Sequence, residues 1–144
     1  MQSEQLAEVA DAMDRLSMWL RRQVPTAVSS STITTLDSLH SAGPLRVSDL
    51  AEREAITQPG MTSLVNRLEA AGQAERVSDP ADGRVALVRI TDRGRAVLAQ
   101  RHAARTELLR HELGALDDAD RAALVAAVPA ITRLITRTKE PVDA

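Results

Sequence analysis

The chain has 144 residues, which suffices for one domain with a hydrophobic core, or for a small domain plus a dimerisation element, but excludes two independent enzyme domains. Its 18 basic and 20 acidic residues give a net charge of −2, which argues against a protein that coats nucleic acid or membranes by bulk attraction. The absence of cysteine excludes disulfides, thiolate metal sites and thiol-based sensing of oxidants.

The N-terminal segment is amphipathic. Apolar side chains recur there at steps of three and four and predict a helix that ends near Pro25: Leu6, Val9, Met13, Leu16 and Leu20. The segment has no continuous apolar run, and no later stretch approaches the roughly 20 apolar residues that span a bilayer. We therefore expect a cytoplasmic protein with no membrane partner.

The C-terminal segment shows the same periodicity. Asp117, with Asp120 three residues later, is typical of a helix N-terminus. The apolar positions that follow are Leu124, Val128, Ile131 and Ile135. Two narrow stripes at opposite ends of a chain predict that the end helices pack together and against a second copy, giving a homodimer. A monomeric helical bundle is the alternative.

Between the ends, the pattern predicts three more helices. Ser30 or Ser31 caps the first, which stops at the turn sequence that begins with Ala42. A short helix starts at Ser48. Another helix starts at the cap residue Thr57 and ends at Gly72.

A β-hairpin and a long helix follow. The segments 74–78 and 84–90 are compatible with strands, and the residues between them, DPADG, are typical of a turn. Thr91 then caps a helix that extends to about Leu113.

The helix from Thr57 to Gly72 has two different faces. At 100° per residue, four apolar side chains share one side: Met61, Leu64, Val65 and Leu68. The other side carries small polar groups, with Gln58 and Arg67 at its edges: Pro59, Thr62, Ser63 and Asn66. Amide and guanidinium groups can hydrogen-bond base edges or phosphates, so this face is a candidate DNA-reading surface, although such residues also occur on ordinary surfaces.

The order of these features resembles the MarR family of bacterial regulators. The resemblance rests on LAEREAITQPGMTSLVNRLEAAG, then ER, DPADGR and ITDRG, and the flanking helical segments extend it over nearly the whole chain. It implies a mainly α fold with a small β-hairpin wing. The winged helix-turn-helix covers residues 29–94, a long connecting helix covers 92–113, and a helical dimerisation region is built from residues 1–28 and 114–144.

The resemblance also implies a DNA-binding transcriptional regulator that binds double-stranded DNA as a homodimer. We expect a repressor, with an activator as the alternative, because the position of the operator relative to the promoter decides between them. Arg84 at the wing tip would enter the minor groove, and Asp82 would help to orient the wing. A plain surface ion pair between these two residues is the alternative. The chain departs from the family at Gly83, where many relatives have a second arginine, and at Glu54, where an apolar residue is usual.

A small-molecule effector is a further expectation from the resemblance, with Trp19 and His40 as candidate pocket residues. No cofactor is expected, and no catalytic constellation is recognisable. Two alternatives stay open. One is a winged helix used only for protein interaction. The other is a metal-responsive regulator, because Glu107 and His111 lie one helical turn apart, with His102 and Glu112 nearby in sequence.

Overall fold

The computed structural model describes residues 2–24 and 28–137. Within them the chain is mainly helical with one two-stranded antiparallel sheet, as the sequence predicts. The elements are α1 (Gln2–Gln23), α2 (Ser30–Ala42), α3 (Val47–Arg53), α4 (Gln58–Ala70), β1 (Ala74–Ser78), β2 (Ala86–Ile90), α5 (Asp92–Gly114) and α6 (Asp118–Arg137). Pro25, the predicted end of the first helix, lies outside the described residues, as do residues 138–144 of the predicted dimerisation region.

One hydrophobic core holds α2, α3, α4 and the sheet together. Its members are Leu36, Leu39, Leu50, Ala51, Met61, Leu64, Val65, Leu68, Ala74, Val88 and Ile90. Each fully buried large side chain contributes about 1.5–3 kcal/mol relative to an exposed one. The apolar face that the sequence assigns to α4 is therefore the face that packs into this core.

The caps of the helices follow the sequence with one exception. Thr57 Oγ1 accepts a hydrogen bond from the Gly60 amide at 3.3 Å, and Thr91 Oγ1 accepts one from the Gly94 amide at 3.2 Å. The predicted cap of α2 is wrong, because Ser29 rather than Ser30 or Ser31 accepts from the Thr32 amide at 3.3 Å. Ser29 has the extended backbone that a cap requires.

The β-hairpin runs antiparallel, from the pair Ala74↔Ile90 to the pair Ser78↔Ala86. Its second strand starts at Ala86 rather than Arg84, because the Val85 amide donates to the Asp82 carbonyl at 3.0 Å and closes the turn. Leu45 forms an isolated bridge with Val88, with N···O distances of 3.0 and 2.7 Å. This bridge fastens the hairpin to the loop before α3.

The chain divides into two compact units, Met1–Arg105 and Thr106–Ala144. In the first unit, the apolar stripe of α1 is exposed, with Leu6 at 69% and Leu16 at 52% of full exposure. In the second unit, none of the described residues of α6 is buried, and Val125 and Val128 are more than half exposed. Among the described residues, no helix is both long and apolar enough to cross a membrane.

Candidate nucleic-acid interface

The α4 helix presents a polar face to solvent. Its four apolar side chains are at most 2% exposed, and the opposite side carries six exposed residues: Gln58, Pro59, Thr62, Ser63, Asn66 and Arg67. All six are predicted from the sequence as candidate DNA contacts, and all six are exposed on one face of the helix. Because the buried face is fixed in the core, the outward face is held in a defined orientation.

The N-terminal turn of α4 is exposed together with the polar face, through Gln58 and Pro59. Pro59 lies in the first turn, and Thr57 caps the helix through its hydroxyl oxygen. The Gly60 amide already donates to Thr57 and Pro59 has no N–H, so the attraction of this end for a phosphate oxygen comes mainly from the helix dipole. The N-terminal end of α4 is thus suited to approach a DNA backbone.

The turn between α3 and α4 depends on a polar contact that the sequence analysis did not identify. Thr35, fully buried on α2, donates a hydrogen bond from Oγ1 to Glu54 Oε2 at 2.7 Å. Glu54 is the C-cap residue that follows α3, and the next residue, Ala55, has a positive φ of 52°. The apolar residue usual at position 54 is therefore replaced here by a carboxylate with its own partner on α2. The signal that could have revealed this pair is a threonine next to Leu36 in an otherwise apolar stripe.

The wing tip carries Asp82 and Arg84. Asp82 Oδ1 accepts from the Arg84 backbone amide at 3.1 Å and from Arg84 Nε at 3.3 Å. The side chain of Arg84 is 92% exposed, so this ion pair is screened by water and weak. This surface ion pair leaves the guanidinium accessible at the tip of the wing.

A second contact missed from the sequence joins the wing to α4. Arg76 on β1 donates from Nη1 to Glu69 Oε1 at 2.6 Å and from Nη2 to Asn66 Oδ1 at 3.0 Å. Position 76 reads as an ordinary exposed strand residue in the sequence, because nothing there shows which helix residues lie opposite it.

Ion pairs neutralise several arginines of this region. Arg76 pairs with Glu69, Arg89 pairs with Glu75, and Arg84 pairs with Asp82. In the described part of the chain, Arg67 on the outward face of α4 makes no ion pair, so its charge is available to a phosphate. This favours a narrow basic track rather than a broad basic surface.

The two candidate effector residues, His40 and Trp19, line two different cavities of the first unit. His40 borders a cavity of about 880 Å³ that Arg21 of α1 also borders, and the other residues of its wall come from α2 and α5. Trp19 borders a smaller recess of about 320 Å³ with Arg15, Met18, Arg22 and Gln23. The structure therefore does not bring Trp19 and His40 together in one cavity.

The larger cavity is cationic. Arginines at 21, 95, 101 and 105 line it, and Asp37 is the acidic residue in its wall. Nε and Nη1 of Arg101 and Nε of Arg105 are buried and lack a hydrogen-bond partner among the described residues. Burial, and then the charge of Arg105, lowers the pKa of Arg101. Cationic nitrogens that are shielded from water and unpaired favour an anionic partner.

The residues that could form a metal site are engaged with neighbours. Glu107 accepts from Arg110 at 2.6 and 3.0 Å, and this hydrogen bond, followed by the charge of Arg110, lowers the pKa of Glu107. His111 Nδ1 lies 3.3 Å from Glu112 Oε1. Within residues 2–24 and 28–137, no three His, Asp or Glu side chains are grouped to hold a metal ion.

An α3-turn-α4 unit that packs its apolar side chains into the core and is followed directly by a hairpin wing defines a winged helix-turn-helix, a class of DNA-binding domain. Comparison with known proteins agrees. The model of the MarR family matches residues 28–86. An HTH-type transcriptional regulator of Mycobacterium tuberculosis is 31% identical over 130 residues, which cover 90% of this chain and 91% of that one. The chain belongs to the MarR family of DNA-binding transcriptional regulators.

Solved structures show the same fold. A transcriptional regulator from Thermotoga maritima matches with a TM-score of 0.72 at 21% identity, covering 94% of each chain. A mutant of S. aureus MepR bound to an oligodeoxyribonucleotide matches with a TM-score of 0.62 at 18% identity, covering 94% of this chain and 98% of the other.

Proposed function

We propose that this protein is a homodimeric repressor that acts in the cytoplasm and binds a pseudo-palindromic operator through α4 and the wing. The observation that carries the proposal is the outward face of α4, whose exposed Gln58, Thr62, Ser63, Asn66 and Arg67 lie opposite a face that is fully buried. Such a helix can enter a major groove without exposing its apolar side chains.

The proposed dimer uses the end segments 1–28 and 114–144, and residues 92–113 connect them to the DNA-binding domain at 29–94. The exposed apolar side chains of α1 and α6 support this assignment. Leu6, Leu16, Val125 and Val128 are each more than half exposed in the single chain. A second copy of the same helices would remove that surface from water at about 25 cal/mol per Å².

The operator is the first thing to test. Purified protein is used to select genomic fragments, and binding to the enriched sequence and to a scrambled duplex is then measured over a range of salt concentrations. We expect the enriched sequence to bind at least 10³-fold more tightly than the scrambled one, in line with typical specific regulators. Equal binding of both duplexes would contradict an operator-specific function. In vitro transcription from a promoter that overlaps the operator then tests repression.

We further propose that a small organic anion binds in the cationic cavity and releases the protein from DNA. Ile33, Leu98 and Ala99 supply an apolar wall, and Arg101 and Arg105 supply unpaired cationic nitrogens. An aromatic carboxylate has this combination of an apolar body and one negative charge. The cavity wall includes α2, which is linked to the turn of the helix-turn-helix by the Thr35–Glu54 hydrogen bond. A ligand that shifts α2 would thereby move α4.

The probe pair is 2-naphthoate and its neutral isostere 2-naphthamide. We expect naphthoate alone to weaken operator binding, and Arg101→Gln to reduce naphthoate affinity about 10-fold or more, as for the loss of a charge-assisted hydrogen bond. Arg15→Gln is the matched control, since Arg15 lines the separate Trp19 recess. Equal effects of the acid and the amide, or loss of the response in the Arg15 variant alone, would contradict the proposal.

A further inference from the structure

The carboxamide of Asn66 is held in one orientation. Asn66 is exposed on the outward face of α4, and its Oδ1 accepts a hydrogen bond from Arg76 Nη2 at 3.0 Å. A guanidinium carries donors and no acceptor, so the group that faces it must be the carbonyl oxygen and not the amide nitrogen. Both N–H donors of Asn66 are therefore turned away from Arg76, and Oδ1 has one of its two lone pairs already in use.

The arginine that sets this orientation is itself fixed. Arg76 Nη1 lies 2.6 Å from Glu69 Oε1, and the side chains of both residues are only about one third exposed, at 32% each. Glu69 and Asn66 lie three residues apart on α4, so one guanidinium from β1 bridges two neighbouring positions on the helix. Glu69 neutralises the charge of Arg76, which leaves Arg76 with a positioning role rather than that of a free phosphate contact.

This orientation limits what Asn66 can read. The usual bidentate contact of asparagine with adenine needs the carbonyl oxygen to accept from N6 while the amide nitrogen donates to N7. Arg76 already donates to one of the two lone pairs of Oδ1, so a second donor such as adenine N6 would have to share this oxygen with the guanidinium, whereas donation from Nδ2 is unhindered. Guanine offers two acceptors, N7 and O6, on its major-groove edge, whereas adenine offers one acceptor beside a donor.

We propose that Arg76 is a specificity-determining residue, which by engaging the Asn66 carbonyl makes Asn66 a hydrogen-bond donor that selects guanine over adenine at its position in each half-site. The inference rests on the proposed function, because it requires the outward face of α4 to enter the major groove. According to this inference, a residue of the wing, Arg76, controls which base a residue of α4, Asn66, prefers.

The test is a competition assay on the selected operator, with all four bases placed in turn at each symmetric pair of positions. Asn66→Ala identifies the position that Asn66 reads, as the pair where base preference becomes flat. At that pair we expect the parent protein to prefer guanine over adenine. Arg76→Met frees the Asn66 carbonyl and should move the preference toward adenine by about 5-fold or more. The double variant that carries both Arg76→Met and Asn66→Ala should show no shift of base preference toward adenine.

Arg89→Met is the matched control, because Arg89 lies on the other strand of the wing and pairs with Glu75 at 2.6 Å without contacting α4 residues in any described hydrogen bond. It removes the same charge and should leave the preference unchanged. The thermal unfolding curve of each variant is measured to check that the fold is retained.

Three results would overturn the inference. They are an unchanged preference in Arg76→Met at the position that Asn66→Ala flattens, the same shift in Arg89→Met, or no position that responds to Asn66→Ala. All three leave an operator-binding protein, whereas failure of the parent protein to distinguish the operator from scrambled DNA would refute the proposed function itself.

Discussion

Arg84 at the wing tip combines almost complete exposure with a weak contact to Asp82. It can therefore leave its partner for a DNA groove at little cost. Arg84→Ala should weaken binding to cognate and random duplexes alike, and should reduce the slope of log K against log salt by about two units per dimer, since each lost phosphate contact changes the slope by about 0.9. Fluorescence anisotropy at several salt concentrations measures both effects. The parent slope in Arg84→Ala would show that the wing does not contact DNA.

Gly83, next to Arg84, is a position at which a positive charge can be added to the wing instead of removed. A Cβ at this position would meet no atom within 4 Å, so an arginine can be added without a clash in the wing. Gly83→Arg restores the charge common in relatives and should strengthen binding and steepen the same salt slope, by about 0.9 for each new phosphate contact. Unchanged affinity and salt slope in this variant would mean that the wing tip lies away from the DNA.

Gly94 is required by close packing at the start of α5. A Cβ at this position would lie 2.2 Å from the Gln73 carbonyl oxygen and 2.7 Å from Ile90 Cγ1. Gly94→Ala should lower the free energy of unfolding by about 1–3 kcal/mol, as overpacking does in other cores. Gly114→Ala is the control, because a Cβ there meets nothing within 4 Å. Urea unfolding compares the two, and equal stabilities would show that the α5 start relaxes freely.

At the scale of elements, the Thr35–Glu54 hydrogen bond joins α2 to the end of α3. Glu54 Oε1 is buried without a described partner, so loss of the Thr35 hydroxyl would leave the carboxylate still less satisfied. Thr35→Val should cost about 1–3 kcal/mol of stability. Combining it with Glu54→Met replaces both polar partners and should recover most of that loss. Strictly additive losses in urea unfolding would exclude an energetic coupling between the two residues.

Element positions could be predicted from the sequence where periodicity and capping agree. For α4, Thr57, the apolar spacing and Gly72 all indicate the same helix, and its bounds match closely. Contacts between elements could not be predicted in this way. Arg76 reaches Asn66 across ten residues, and Thr35 reaches Glu54 across nineteen, so both depend on tertiary packing that local patterns do not encode. Tertiary packing also decides that Trp19 and His40 line two different cavities, which the sequence pattern could not show.

At the scale of the whole molecule, the proposed dimer should be sensitive to charge on the α1 and α6 stripes. Leu16→Glu and Ile131→Glu would each bury an uncompensated carboxylate, at a cost of about 3–5 kcal/mol, and should shift the protein toward monomer in sedimentation. Arg15→Gln changes the net charge equally, but Arg15 lies about 100° around α1 from Leu16, outside the apolar stripe, and its side chain is 79% exposed, so this variant should leave the dimer intact. Unchanged dimers in both glutamate variants would contradict the proposed interface.

In the proposed complex, two α4 helices related by twofold symmetry read successive major grooves on one face of the DNA. Hydroxyl-radical footprinting of the selected operator tests this arrangement most directly. We expect a symmetric footprint with two half-sites about 10 base pairs apart, centred on the pseudo-dyad. A footprint confined to one asymmetric half-site, bound at full affinity, would contradict it.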